Sequence, residues 1–209
     1  MTRYVTARDL ANDRLDYNYT ANTRNGEENR TLTWIRYNRE ESGKYSRLKA
    51  ILSAWSGDKG INYYITNRDL STFLDEMLDM CSDNTEYLYF ALENDELIGV
   101  VYIMGASDCR DSACIDYLVV NPDKRGCKIV KTPNDETKIG GYATLMIKSV
   151  VDNVRWFTFG NFKKDLCASI ENTNMASMKV FRNCEFRKDY EFGDFAHYKT
   201  SPTEEKEVL

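Results

Sequence analysis

Two short stretches of this sequence carry residue types that could do chemistry. In the first, Asp116-Tyr117-Leu118-Val119-Val120-Asn121-Pro122 is followed, after a polar stretch, by Lys138-Ile139-Gly140-Gly141-Tyr142-Ala143-Thr144-Leu145. An apolar strand pattern feeds a loop, and the loop feeds a helix through two glycines. Lacking a Cβ, glycine lets backbone N–H groups come close to a ligand. The unpaired N–H groups and positive dipole end of a helix then favour a phosphate, and Lys138 would add a charge. The chemistry indicated is anion binding. The stretch is not a Walker A loop, since no Gly-Lys-Ser/Thr follows, nor is it G-x-G-x-x-G. Upstream, Arg125-Gly126-Cys127-Lys128 could itself be read as the opening of the same loop, with an insertion inside it. The helical apolar pattern directly after Gly141 favours 138–144.

The second stretch is Ser169-Ile170-Glu171-Asn172-Thr173-Asn174-Met175-Ala176-Ser177, continuing through Lys179, Val180 and Phe181 to Cys184 and Phe186. A strand ends, a polar run caps a helix, and an aromatic closes it. Other nucleophilic chemistry is poorly provided for. The single histidine, His197, lies in Phe195-Ala196-His197-Tyr198, which alternates like a terminal strand. The six cysteines include no C-x-x-C pair, and several sit in apolar runs such as Ala113-Cys114-Ile115 and Leu166-Cys167-Ala168. That pattern indicates free thiols in a reducing compartment rather than a disulfide framework or a zinc site, so no metal is expected.

Several elements must position these residues. Leu48, Ile51, Leu52 and Trp55 fall at helical spacing, as do Leu70, Phe73, Leu74, Met77 and Leu78, with Thr66 or Asn67 able to cap the second helix. Strand patterns follow at 87–92 and 97–103, joined by the turn Glu93-Asn94-Asp95-Glu96 into a hairpin, and at 113–120, stopped by Asn121-Pro122. Residues 121–139 read as a long polar loop. Then come a helix from Gly140-Gly141 through Val150, a strand at 165–170, a helix over 175–184, and two short strands near 186–190 and 195–198. Residues 1–43 are polar; only 32–37 read as a strand, so this segment is expected to be an extension packed on, or adding a first strand to, a main domain at 44–200. Residues 201–209 form an acidic tail. The order predicts a mixed α/β sheet.

Taken together and in this order, the two stretches resemble the GNAT superfamily of N-acetyltransferases. Members share a strand ending in V-x-P, an R/Q-x-x-G-x-G/A loop entering a helix, and a later strand leading to an N-x-x-[AS] helix that ends in a G-F turn. Here the loop is Lys138-x-x-Gly141-x-Ala143, the later motif is Asn174-x-x-Ser177, and Phe186 is the closing aromatic. The resemblance covers about residues 66–199. It implies a mixed, mostly antiparallel central sheet, splayed in the middle and flanked by helices. It implies acetyl-CoA or another acyl-CoA as co-substrate, its pyrophosphate on the backbone amides of Ile139, Gly140, Gly141, Tyr142, Ala143 and Thr144. The pantetheine would pair with the backbone of Leu118, Val119 and Val120 as an added strand, with Asn174 and Ser177 at the start of the later helix. A primary amine, on a small molecule or a peptide N-terminus, would attack the thioester directly. Asp116, on the strand where members carry an acidic residue, is the candidate base; a solvent-facing Asp on an alternating strand is the plain alternative. Tyr117 is a weaker candidate for a proton relay.

The sequence departs from the family pattern at three places. Lys138 replaces the usual Arg or Gln, Glu185 the usual glycine before the aromatic, and Phe181 the tyrosine that many members carry to protonate the leaving thiolate. The last departure keeps open a second reading, a catalytically silent module that binds acyl-CoA or a protein partner.

Composition bounds the rest. With 209 residues and 42% hydrophobic content the chain can bury a core. A net charge of −5 argues against a nucleic-acid groove and suits a cationic acceptor. No apolar run reaches the roughly 18 residues of a membrane span, and the first residues lack a signal-peptide pattern. A cytoplasmic protein, monomeric or homodimeric, with no membrane partner, is expected.

Overall fold

The computed structural model describes residues 13–38, 43, 45–55, 86–106, 111–132, 135–161 and 163–201. The helix expected from Thr66 to Leu78, the acidic tail beyond Ser201, and Cys81 and Cys109 lie outside them.

The polar N-terminal segment folds as two long strands rather than one. β1 (Arg14–Thr23) and β2 (Gly26–Arg36) pair antiparallel along ten rungs across the turn Arg24-Asn25. Gly26 takes φ +113°, a value a side chain would resist. One face of the hairpin is apolar: Tyr19, Ala21, Leu32 and Trp34 are buried. The other carries Asp16, Asn18 and Thr31, which hid β1 in the sequence.

A helix, α1 (Ser46–Ala54), precedes the hairpin of β3 (Glu86–Glu93) and β4 (Glu96–Met104). The turn between these strands places both Asn94 (φ 50°) and Asp95 (φ 62°) in the left-handed region, as a type I′ turn needs. β5 (Ser112–Val120) follows, then a short 3₁₀ turn (Pro122–Lys124) capped by Asn121, whose Oδ1 accepts from the Asp123 N–H at 3.0 Å.

The stretch expected as a long loop is a second correction. It contains β6 (Val130–Thr132) and β7 (Asp135–Gly140), paired as their own two-stranded sheet. Lys138 and Ile139 therefore belong to a strand, with Ile139 opposite Lys131. The chain continues with α2 (Tyr142–Asp152), α3 (Val154–Phe157), β8 (Asp165–Glu171), α4 (Met175–Asn183), β9 (Arg187–Phe192) and β10 (Phe195–Thr200).

Eight strands form the main sheet in the order β1-β2-β3-β4-β5-β8-β10-β9. Every neighbouring pair is antiparallel except β5 and β8. One face packs on α2, α3 and α4: Trp34, Tyr89, Trp156 and Phe157 interlock there, with Trp34 edge-on to Phe157 at 5.1 Å. The opposite face packs on α1, where Tyr37, Tyr45, Leu52 and Trp55 cover Phe90, Leu97, Val100 and Tyr102. Filling both faces explains why β3 and β4 read as continuous apolar runs.

Two irregularities set up the centre of the sheet. The register of β4 against β5 slips between Tyr102↔Tyr117 and Ile103↔Ile115, leaving Asp116 as the extra residue of a bulge. The slip exchanges the faces, so that Ile115 and Leu118 join the helix-side core of α2 while Tyr117 and Val119 face the α1 side. Beyond the bulge, β5 and β8 part. Their parallel ladder has three rungs, Ser112↔Asp165, Ala113↔Leu166 and Cys114↔Cys167, and then stops.

Candidate functional site

The open edge left by this parting can be assigned atom by atom. Asn121 N–H donates to Ile98 C=O at 2.8 Å, so that pair is hydrogen-bonded. Bonding alternates along an antiparallel ladder. Val119 and Tyr117 therefore turn their backbone polar groups toward β4, and Leu118 and Val120 turn theirs away, toward the gap before β8. Leu118, Val119 and Val120 line a groove of about 460 Å³.

Across the groove stands the N-terminal end of α2. Gly141 is its cap residue and provides no side-chain hydrogen bond. The first intrahelical bond runs from Leu145 N–H to Gly141 C=O at 3.1 Å, which leaves the amides of Tyr142, Ala143 and Thr144 for a ligand. Both glycines are required by close approach. A Cβ on Gly141 would lie 2.5 Å from the Cys127 carbonyl oxygen, and one on Gly140 2.6 Å from Thr144 Oγ1.

The Cys127 contact shows that two sequence segments build this wall. Lys124, Arg125, Gly126, Cys127 and Lys128 line the groove together with Gly140, Gly141, Tyr142, Ala143 and Thr144. The loop that lines the groove is thus a split one: Arg125-Gly126-Cys127 opens it, β6 and β7 interrupt it, and Gly140-Gly141 closes it. Ile129 N–H donates to Gly140 C=O at 2.8 Å across the interruption. In the sequence Arg125-Gly126 marks the opening half of this loop, and the helical pattern after Gly141 marks the closing half.

The third wall is the start of α4. Asn174 caps it, its Oδ1 accepting from Ser177 N–H at 3.1 Å. Asn174, Ala176, Ser177, Lys179, Val180 and Asn183 line the groove. Of the predicted site residues, the groove brings together Leu118, Val119, Val120, Gly140, Gly141, Tyr142, Ala143, Thr144, Asn174 and Ser177. Asp116 and Tyr117 lie just before it on β5, Asp116 at the bulge and Tyr117 with its ring 6.0 Å from Tyr102. Phe181 is buried, edge-on to Phe186 at 4.9 Å.

The charges of the groove are of one sign. Lys124, Arg125, Lys128 and Lys179 line it, and no Asp or Glu is among its described lining residues, in a chain of net charge −5. Cations, free helix amides and glycines suit an anion with several phosphates, while the open strand edge suits an extended amide-bearing arm. Coenzyme A has both. Among the described residues no cluster of His, Cys, Asp and Glu could hold a metal ion, and no helix is long and apolar enough to cross a membrane.

No protein-family model matches the chain, and no curated protein matches its sequence. Solved structures do match. The spermidine N-acetyltransferase of Vibrio cholerae, in complex with CoA and spermine, aligns over 82% of this chain and 95% of its own at 17% identity, with a TM-score of 0.58. The Campylobacter jejuni N-acetyltransferase PseH in complex with acetyl coenzyme A aligns over 80% and 98% at 14% identity, with a TM-score of 0.52. The GNAT domain of S. lividans PAT aligns over 89% and 96% at 12% identity, with a TM-score of 0.61. With a sheet parted beside Leu118–Val120 and a glycine-led helix across the gap, the chain carries the GNAT fold.

Proposed function

We propose that this chain is an acyl-CoA-dependent N-acyltransferase that moves an acetyl or other acyl group to a primary amine. The observation that carries the reading is the convergence in one groove of an open strand edge, an uncapped helix start and four cationic side chains. Acyl-CoA supplies an activated thioester. The protein holds its phosphates on the amides of Tyr142 to Thr144 and on Arg125 and Lys128. The backbone of Leu118 and Val120 continues the sheet into the pantetheine arm, and one of their N–H groups donates to the thioester carbonyl oxygen. Asp116, at the bulge, takes the proton from the ammonium of the acceptor. The acceptor is a small-molecule amine or a peptide N-terminus; the Vibrio structure is a complex with CoA and spermine.

Thermal-shift titration with acetyl-CoA tests the binding, because a ligand of the native state raises apparent stability. Release of free thiol in the presence of an amine panel tests the transfer. A dose-dependent rise with amine-dependent thiol release is expected; no rise at millimolar acetyl-CoA would overturn the reading.

Phe181 favours a second reading. Its buried ring offers no hydroxyl to the leaving thiolate. A silent module that binds acyl-CoA would show the thermal rise with no thiol release for any amine.

A further inference from the structure

The interruption by β6 and β7 separates the two halves of the anion loop, so chain continuity no longer fixes one against the other. The pairing of β6 with β7 brings them together, and the hairpin turn between β3 and β4 reaches both halves as well. On one side of it, Glu96 holds Lys124 at 2.7 Å. On the other side, Glu93 is buried, and its Oε2 accepts from the Tyr142 hydroxyl at 2.7 Å while its Oε1 accepts from Tyr19. Arg30 stands 3.6 Å from the same carboxylate, with Glu28 as its nearer partner at 2.9 Å. Tyr142 is the first residue of α2, behind two glycines that have no side chain to anchor them. Its phenol is therefore the first side-chain tether that the mouth of this helix has.

We propose that Glu93 is a positioning residue for the phosphates of the co-substrate: through Tyr142 it fixes the direction of the helix amides that receive them. The inference rests on the acyl-CoA reading. A buried carboxylate so close to an anion site would repel the ligand if it were bare. With two hydroxyl donors on its oxygens and Arg30 nearby, it acts as a fixed post.

The test compares two substitutions at opposite ends of the same helix. Tyr142→Phe removes the bond to Glu93. Tyr17→Phe removes a 2.6 Å bond from Tyr17 to Asp152 at the far end of α2. Calorimetry measures binding of CoA and of pantetheine, which keeps the arm but has no nucleotide. Tyr142→Phe is expected to weaken CoA by about tenfold or more while leaving pantetheine unchanged, as loss of one hydrogen bond to a charged group would. Tyr17→Phe is expected to lower the melting temperature and leave both affinities unchanged. Equal weakening of CoA by both variants, or of CoA and pantetheine by Tyr142→Phe, would reduce Glu93 to a purely structural role and overturn the proposal. Native protein that binds no CoA would instead remove the acyl-CoA reading, and this inference with it.

Discussion

Glu185 shows what a family departure costs at the level of one residue. It sits at φ 68°, directly after α4, where the helix ends in a Schellman motif. Phe186 N–H donates to Phe181 C=O and Glu185 N–H to Arg182 C=O, both at 3.1 Å, and the two phenylalanine rings make the accompanying apolar contact. A left-handed residue with a side chain is disfavoured by about 1 kcal/mol relative to glycine. Because Glu185 is exposed and makes no hydrogen bond through its side chain among the described residues, Glu185→Gly should stabilise the fold by about that amount, raising Tm by roughly 2–4 °C in a thermal melt. Asp116 is the other single residue with a separable effect. If it removes the ammonium proton, Asp116→Asn should lower kcat by about 10²-fold or more at neutral pH. The KM for acetyl-CoA should stay the same, and activity should recover as pH rises and the free amine forms. A pH–rate profile of both proteins reads this directly.

Among the elements, the split loop and α2 make one electrostatic unit, and its strength can be weighed. Lys128 lines the groove and makes no ion pair among the described residues, whereas Lys124 is held by Glu96. A charge near the protein surface contributes a few tenths to about one kcal/mol per pair, and salt screens it within about 10 Å at 0.1 M. Lys128→Glu should therefore weaken CoA by roughly tenfold at low salt, with the difference from the native protein shrinking as ionic strength rises; calorimetry in a salt series measures both. The same elements show how far the sequence could be read. Glycines before an apolar helical repeat announced α2, and Asn174 with Ser177 announced the capped start of α4. Both signals are local. The split was harder, because Arg125-Gly126 and Gly140-Gly141 become neighbours only through the pairing of β6 with β7, and no periodicity in 121–139 marks strands so short. β1 was obscured for another reason: Asp16, Asn18 and Thr20 occupy its outer positions, and only Asn25-Gly26 hinted at the turn. The bulge at Asp116 is a property of two strands in register and leaves no trace in either alone.

Across the whole molecule, the protein hides several acids that water would titrate near pH 9–10. Tyr17 and Tyr19 are held well above the ordinary tyrosine range, first by burial and then by the carboxylates of Asp152 and Glu93. Burial and Glu93 do the same for Tyr142, and burial pushes the Cys184 thiol up to about 12. All four are raised in the folded state, so the unfolded chain releases these protons first. Their contribution is fully present below about pH 9 and is lost as pH climbs through about 9–12. Denaturant midpoints should be level from pH 7 to 8.5 and fall steeply by pH 11, and tyrosinate absorbance at those three positions should appear only with unfolding.

Among the described residues, three rungs of parallel ladder join β8, β10 and β9 to the other five strands. Contacts between α2 and α4 and the shared core beneath the sheet add to the seam. The sheet is in effect two plates sharing a short weld, and a peptide-like arm laid in the gap would act as the missing strand between them. Local opening energies should therefore differ across the weld. Backbone amides of β8 and β10 should exchange with deuterium faster than those of β3 and β4 in the free protein. Pantetheine-bearing ligands should slow β8 far more than they slow β3, so that the proposed co-substrate would also serve as one of the protein's fasteners.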